Sequence, residues 1–324
     1  VTELYPLTFK SIPKIRVWGG RKLETLYHKS LPPDVPVGET WEIVDRESDN
    51  SVIENGPLAG NTLHWLMLHH KKELLGERNA GAAQFPLLVK ILDAREQLSL
   101  QVHPPTQVAS SLGGEPKTEM WYVAQAEPGA EVYAGLKRGT TRSDFEAGLA
   151  RGTVEQCFHR IPVKTGDALF LPSGRVHALG AGLVIFEIQQ NSDSTYRVYD
   201  WNRVGLDGKP RDLHIAPSLQ SIDFQDYEPS LVPGDQKNHE SSGRRSLVND
   251  PLFRVDILKL KTNEDFKLGG DAPKIIGLLE GIVSIAGSGQ TLRLLPGQFC
   301  LVPACVGEAV IGGDRESSLL LIEF

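Results

Sequence analysis

The run GDALFLPSGRVHA at 166–178 returns as GQFCLVPACVGEA at 297–309, with Gly166 laid on Gly297, Pro172 on Pro303 and Ala178 on Ala309. A segment that recurs within one chain reports a repeated structural unit. The chain is therefore predicted to hold two copies of one β-barrel unit. The surroundings agree. Short runs rich in Val, Ile and Leu at 87–92, 97–102, 119–124, 131–134, 168–171 and 183–189 are separated by polar or Gly/Pro turns, as strands of a sandwich or barrel are. Further runs follow at 253–261, 274–280, 282–286, 291–294, 298–302 and 318–324, and earlier ones stand at 14–18 and 40–44. The 32 Gly and 21 Pro in 324 residues favour strands and turns over a helical bundle.

Helices are predicted as insertions. One spans 61–75, capped by Asn61, with Leu63, Leu66, Leu68, Leu74 and Leu75 as its apolar face. Another spans 143–151, capped by Thr141 or Ser143, with Phe145 and Leu149 inward. The polar stretch 223–246, which contains Pro229, Pro233 and Gly234, reads as a linker or a long excursion between units 1–235 and 236–324.

The two copies differ where chemistry is concerned. The first carries His177 and the second Glu308, and no His follows His239. The second unit is thus predicted to lack metal ligands. In the first, Gln101 and His103 are two apart in a strand and share a face. Glu119 opens a following strand, and His177 comes after the Pro172-Ser173-Gly174 turn. Two imidazoles, a carboxylate and an amide oxygen suit Zn, Fe, Mn, Ni or Co better than Ca or Mg, with zinc first. By contrast, His64, His69 and His70 sit beside Lys71 and Lys72 and read as a solvated helix face.

The formal charge of −7 offers no general attraction for nucleic acid or an anionic membrane, so an anionic ligand needs a local site. No run reaches the roughly 18 apolar residues of a spanning helix, and VTELYPLTFK lacks a signal-peptide layout, so a cytoplasmic protein is expected. Cys157, Cys300 and Cys305 form no C-x-x-C pair, and Cys300 and Cys305 are predicted to be buried thiols. No dinucleotide or phosphate-loop fingerprint is present.

QVHP at 101–104, KTEMWYV at 117–123, PSGRVHAL at 172–179 and QNSDSTYRVYDWNR at 190–203, with WGG at 18–20 and GETWEI at 38–43, resemble the type I phosphomannose isomerases in their shorter bacterial form. The resemblance implies a mainly β fold of two cupin-like (jelly-roll) β-barrels with helical insertions. It also implies one zinc ion per chain held by Gln101, His103, Glu119 and His177, and interconversion of mannose 6-phosphate and fructose 6-phosphate. Arg197 is then the active-site arginine, and Lys117 and Asp193 serve substrate binding or proton handling. A small-molecule sugar phosphate is the expected partner, and the chain is expected to be a monomer or homodimer.

Aldose–ketose isomerisation passes through an enediolate, which a metal and a guanidinium can stabilise while a base handles the carbon-bound proton. Glu187, Asp193 and Lys117 are the titratable candidates. Glu187 is either a salt-bridged strand residue or a base or support for a ligand histidine. Arg197 either clamps phosphate or faces the enediolate. His214 has no assignment, and Trp121, Tyr122, Tyr196, Tyr199 and Trp201 are expected to pack in the core more than to wall a sugar. Rival readings are a cupin oxygenase, another sugar isomerase or epimerase, and a metal-stabilised sugar-binding protein without turnover.

Overall fold

The computed structural model describes residues 3–233 and 243–324. Its architecture is mainly β, arranged as four antiparallel sheets in two units. In the first unit a six-stranded sheet runs in the order Ile12–Gly20, Val37–Ile43, Leu87–Ala94, Leu183–Gln190, Glu119–Ala126, Ala168–Leu171. A five-stranded sheet faces it, ordered Tyr196–Tyr199, Leu100–Val102, His177–Leu179, Glu131–Leu136, Phe158–Pro162. The C-terminal unit pairs another five-stranded sheet with a four-stranded one.

Alternation of side chains explains the stacking. Along Leu183–Gln190, Leu183 and Ile185 join Leu92, Val123, Leu171, Val132 and Leu179 in a core between the first two sheets. Val184, Phe186 and Ile188 point the other way, into a core shared with Ile257, Ile275, Phe299, Leu301 and Leu320 of the C-terminal unit. The six-stranded sheet is thus covered on both faces, and its strand Leu87–Ala94 is buried at every position. Strands buried on both sides read as continuous apolar runs, which is how LLVKILDA appears.

The repeat has a structural counterpart. Ala168–Leu171 and Phe299–Val302 are each the edge strand of a sheet, and each chain then turns into the facing sheet as His177–Leu179 or Ala309–Gly313. Gly166 and Gly297 both adopt left-handed backbone, with φ of 92° and 79°. A Cβ on Gly297 would lie 2.5 Å from the Tyr27 ring, so only glycine fits there. The WGG and GETWEI motifs meet where Gly19 packs on Gly38: a Cβ on Gly19 would lie 2.3 Å from the Gly38 nitrogen.

Some local expectations are corrected. The helical stretch is two helices, Leu63–His69 and Lys71–Asn79, broken at His70. Its cap is Thr62, whose side chain accepts from Trp65 N, rather than Asn61, whose amide donates to Leu58 O. Leu68 is 67% exposed, because within Leu63–His69 helical geometry places it on the side away from buried Leu63 and Leu66. The second helix, Arg142–Arg151, has a Thr141–Asp144 capping box. Cys300 is buried but Cys305 is exposed, since it sits in the short turn Ala304–Val306 rather than in the strand.

The strand expected at 97–102 shortens to Leu100–Val102 because Gln97 O and Leu98 O accept from the side chains of Arg203 and Trp201 instead of a ladder partner. Residues 223–233 are strapped to the first unit: the Arg175 guanidinium grips Asp226 and Val232 N donates to Ala168 O. Residues 234–242 of the expected linker lie outside the described residues, and 244–246 belong to strand Arg244–Asn249. Among the described residues no helix is long and apolar enough to cross a membrane.

Phe186 stacks against Tyr27 and Phe299 at ring-centroid distances of 5.6 and 5.5 Å, at the contact between units. Replacing it by Ala is expected to destabilise the protein by about 3–5 kcal/mol in denaturant unfolding. Leu68→Ala should change stability by no more than about 0.5 kcal/mol. Equal effects of the two would contradict the layered core described above.

Candidate active site

At one end of the first sandwich the inner faces of both sheets change from apolar to charged. On the six-stranded sheet, Glu187 pairs in register with Lys90 and Trp121, and Gln189 with Glu119. On the facing sheet Arg197 pairs with Gln101, and Gln101 with His177. Residues directly opposite each other in neighbouring strands share a face. Three strands therefore present Arg197, Gln101 and His177 in a row toward Glu119 and Glu187, and His103 follows just past the end of Leu100–Val102.

His103, Glu119 and His177 are 1%, 0% and 1% exposed. His103 Nε2 lies 3.4 Å from Glu119 Oε2, and His177 Nε2 lies 3.2 Å from Glu119 Oε1. Each imidazole donates its Nδ1 proton to a backbone carbonyl, His103 to Ser194 O at 2.8 Å and His177 to Arg175 O at 2.9 Å. A carbonyl can only accept, so the proton is on Nδ1 and the Nε2 lone pair is left pointing at the carboxylate. His103 Nε2 and both Glu119 oxygens have no hydrogen bond of acceptable geometry.

Sealed, lone-pair-bearing atoms without a well-formed hydrogen bond are costly, at about 1–3 kcal/mol each, and of the three only Glu119 Oε2 has a cationic neighbour, the Lys117 ammonium at 2.8 Å. One cation in their midst satisfies all three. Ligands about 2.1 Å from a tetrahedral ion are about 3.4 Å apart, close to the two His–Glu separations. Among the described residues this is the group of His, Cys, Asp and Glu able to hold a metal ion, its ligand atoms all within 4.8 Å of one another. Gln101 joins it from the side: its amide nitrogen is 3.2 Å from His177 Nε2, and a half-turn of the amide places the oxygen there.

The charges have physical causes. Burial opposes ionisation of Glu119, but the Lys117 ammonium, 2.8 Å from Oε2, holds it well below the usual carboxylate range. Burial, then the Lys117 charge, pushes His103 down to about 3. Burial likewise lowers His177. Lys117 is raised despite burial, by Glu119 and Glu187, and stays protonated. Glu187 is raised by burial and by Glu119; Trp121 Nε1 donates to one of its oxygens at 2.9 Å, and Lys90 lies 3.3 Å from the other. Burial also works against Glu39, yet Lys90 and Arg16 hold it at about 2.

Gln101, Lys117, Glu187, Asp193 and Arg197 all line one cavity of about 320 Å³. The structure therefore brings together every catalytic and metal candidate read from the sequence. Arg211 lines it as well, and so do Arg16, Glu39 and Lys90, which no site reading of the sequence included. The Lys in the apolar run LLVKILDA was the available signal, because a charge in a strand buried on both faces has to meet a polar site. His214 acquires a role: its Nδ1 accepts from Arg197 N at 3.0 Å and its own N donates to Arg197 O at 2.8 Å.

Of the five aromatics, Trp121 lines the cavity, Tyr122 packs toward the C-terminal unit, and Tyr199 and Trp201 pack on each other. His64 binds Asp45, and His69 and His70 lie against the Trp65 ring, so the three do not converge. Glu308, the counterpart of His177, has a side chain 67% exposed and pairs with Lys267 at 3.6 Å.

A family model described as "Phosphomannose isomerase type I, catalytic domain" matches residues 7–127. The chain is 38% identical over 316 residues to the mannose-6-phosphate isomerase ManA of Bacillus subtilis (strain 168), covering 96% of this chain and 97% of that protein. It is 34% identical over 313 residues to the mannose-6-phosphate isomerase of Streptococcus mutans, covering 96% of each. The crystal structure of the mannose 6-phosphate isomerase from Bacillus subtilis superposes with a TM-score of 0.89 at 29% identity, over 99% of this chain and 100% of that one. A buried His/Glu/His group beneath a charged cavity is thus found in a chain whose full-length relatives carry one name, and this chain belongs to the type I phosphomannose isomerases.

Proposed function

We propose that this protein interconverts mannose 6-phosphate and fructose 6-phosphate, with one zinc ion held by His103, Glu119, His177 and Gln101. The observation that carries the reading is the set of orphaned lone pairs on His103 and Glu119, sealed beneath a cavity in which cations outnumber carboxylates. Bound zinc supplies a Lewis acid that polarises the sugar's carbonyl or hydroxyl oxygen. Two imidazoles, one carboxylate and a neutral amide suit zinc better than a hard cation.

Arg16, Lys90, Lys117, Arg197 and Arg211 line the cavity against Glu39, Glu187 and Asp193. In a chain of net charge −7 this is a local positive site of the kind a sugar phosphate needs. Burial, then repulsion from Arg211, draws Arg197 below the ordinary guanidinium value. That positive excess is relieved by a dianion. Arg197 stands one strand from Gln101 and two from His177, so its charge serves the developing enediolate, while Arg16, paired with Glu39, and Arg211, paired with Asp200, bring further positive charge to the cavity wall for phosphate.

Lys117, held protonated, acts as a second fixed cation rather than a base. Both Glu187 oxygens are engaged by Trp121 and Lys90, so Glu187 supports the site electrostatically. Asp193 is exposed, lines the cavity and is the carboxylate free to take a proton from C2 and return it at C1. Residues 1–235 form the catalytic part. The C-terminal unit, 236–324, serves by covering the outer face of the six-stranded sheet.

Protein stripped with a chelator is expected to lose isomerisation of mannose 6-phosphate and to regain it with zinc; full activity in verified metal-free protein would refute the metal role. Asp193→Asn should lower kcat by about 10²-fold or more with the fold retained. Arg197→Ala should lower kcat as well as weaken binding, whereas a protein that only binds the sugar phosphate would show an affinity loss and no product at any stage. Because His103 is already neutral down to about pH 3 and Glu119 already ionised, zinc uptake between pH 6 and 7 should release almost no protons from its ligands. Titration calorimetry in buffers of different ionisation enthalpy checks this, and release of about one proton per zinc would contradict it.

A further inference from the structure

The carbonyl that orients His103 belongs to Ser194, in the stretch 191–195, which has no helix or strand of its own. Backbone outside a ladder does not hold an oxygen at a fixed place unless other groups bind it. Here the binding comes from the segment that leads into Lys117 and Glu119. Glu115 N donates to Ser194 Oγ at 2.8 Å, Ser192 Oγ donates to Glu115 O at 3.3 Å, and Ser194 N donates to Ser192 Oγ at 3.2 Å. Gln189 Nε2 holds Ser192 O at 2.6 Å from below. Arg46 closes the outer side, donating to Asn191 O at 2.7 Å and pairing with Glu115 at 2.9 Å.

We propose that Ser194 is a positioning residue for the metal centre: its hydroxyl, clasped by Glu115 N, fixes the carbonyl that holds His103 and registers His103 against Lys117 and Glu119. The inference rests on the metal reading above. Beyond the end of the strand ladder, where Gln189 pairs with Glu119, the two segments that carry opposite sides of the centre are tied to each other at the serine pair. Loss of the hydroxyl leaves the His103 acceptor in the chain but frees it to move. Partners of ligand histidines of this kind are worth about 10–100-fold in metal affinity or activity. Glu115 is only half-buried, so water can meet its N–H when the hydroxyl is gone, and the fold should survive.

The test uses the full-length zinc-loaded protein and the variants Ser194→Ala, Ser194→Thr and Ser111→Ala, the last an exposed serine whose hydroxyl bonds only Val108 O. Zinc release to an excess of chelator is measured without substrate, alongside kcat, KM and Tm. Ser194→Ala is expected to release zinc about 10–100-fold faster and to lower kcat more than it changes KM, with Tm near the parent's. Ser194→Thr should restore both rates, and Ser111→Ala should match the parent. In metal-free protein the ¹⁵N shifts of His103 should report a proton on Nδ1 in the parent and mixed tautomers in Ser194→Ala.

Parent-like zinc release and kcat in folded Ser194→Ala would overturn the proposal, as would a loss shared by Ser111→Ala. Should Ser194→Ala not fold, Arg46→Gln loosens the same clasp from outside, and parent-like zinc release there would overturn it equally. Faster zinc release by Ser194→Ala in a protein that does not isomerise mannose 6-phosphate would sink the isomerase reading and leave the clasp standing.

Discussion

Burial of the six-stranded sheet on both faces is the constraint from which the site follows. One face lies against the C-terminal unit and the other against its own partner sheet. A charged side chain on the central strands of such a sheet is cut off from bulk water, and leaving it unpaired costs several kcal/mol. The structure meets this with charges of alternating sign: Arg16 on Glu39, Glu39 near Lys90, Lys90 on Glu187, Lys117 on Glu119. Among the described residues Glu119 is the buried carboxylate with both oxygens lacking a well-formed hydrogen bond, its Lys117 ion pair notwithstanding. That doubly unsatisfied position is the position where an ion fits.

The two copies of the repeat divide the labour that this constraint creates. The first keeps His177 at the inner end of its turn, while the second carries Glu308 facing solvent. What the second supplies is apolar surface: Ile257, Ile275, Phe299, Leu301 and Leu320 cover Val89, Phe186 and Ile188. Without that cover the strand that carries Glu187 and Gln189 would be wet on its outer face. The dielectric at the charged end of the sandwich would rise, and the attraction between Lys117 and Glu119 would weaken with it.

Much of the site was legible because strand geometry is local. The two-residue step from Gln101 to His103, just past the end of Leu100–Val102, keeps them on one side, and the Pro172-Ser173-Gly174 turn sends the chain toward His177. Legibility failed where the exact end of an element or a distant partner decides. Thr62 rather than Asn61 caps its helix because the helix starts at Leu63, which leaves the extended Thr62 with its side chain beside Trp65 N. Leu98 leaves the expected strand because Trp201 takes its carbonyl. Lys90 and Glu39 are single charges in apolar or mixed strands; strand pairing sets Lys90 opposite Glu187, and Glu39 meets Arg16 through their side chains. The family motifs carried the step from metal centre to isomerase, since alternation and spacing say where ligands gather and not which substrate they meet.

The ligand set itself indicates how a sealed ion can act on a sugar. His103, Glu119 and His177 are closed off, whereas Gln101 faces the cavity together with Lys117 and Arg197. A neutral amide binds a divalent ion more weakly than imidazole or carboxylate and adds no negative charge. On the proposed four-ligand reading, with Glu119 as the single anion of the set and Lys117 already drawing on it, an ion held there would keep net positive charge on the side of the weak ligand. Substrate oxygen arriving from the cavity would meet that side first. Gln101 would then stand where exchange with substrate is easiest, which is the difference between a stabilising ion and a catalytic one.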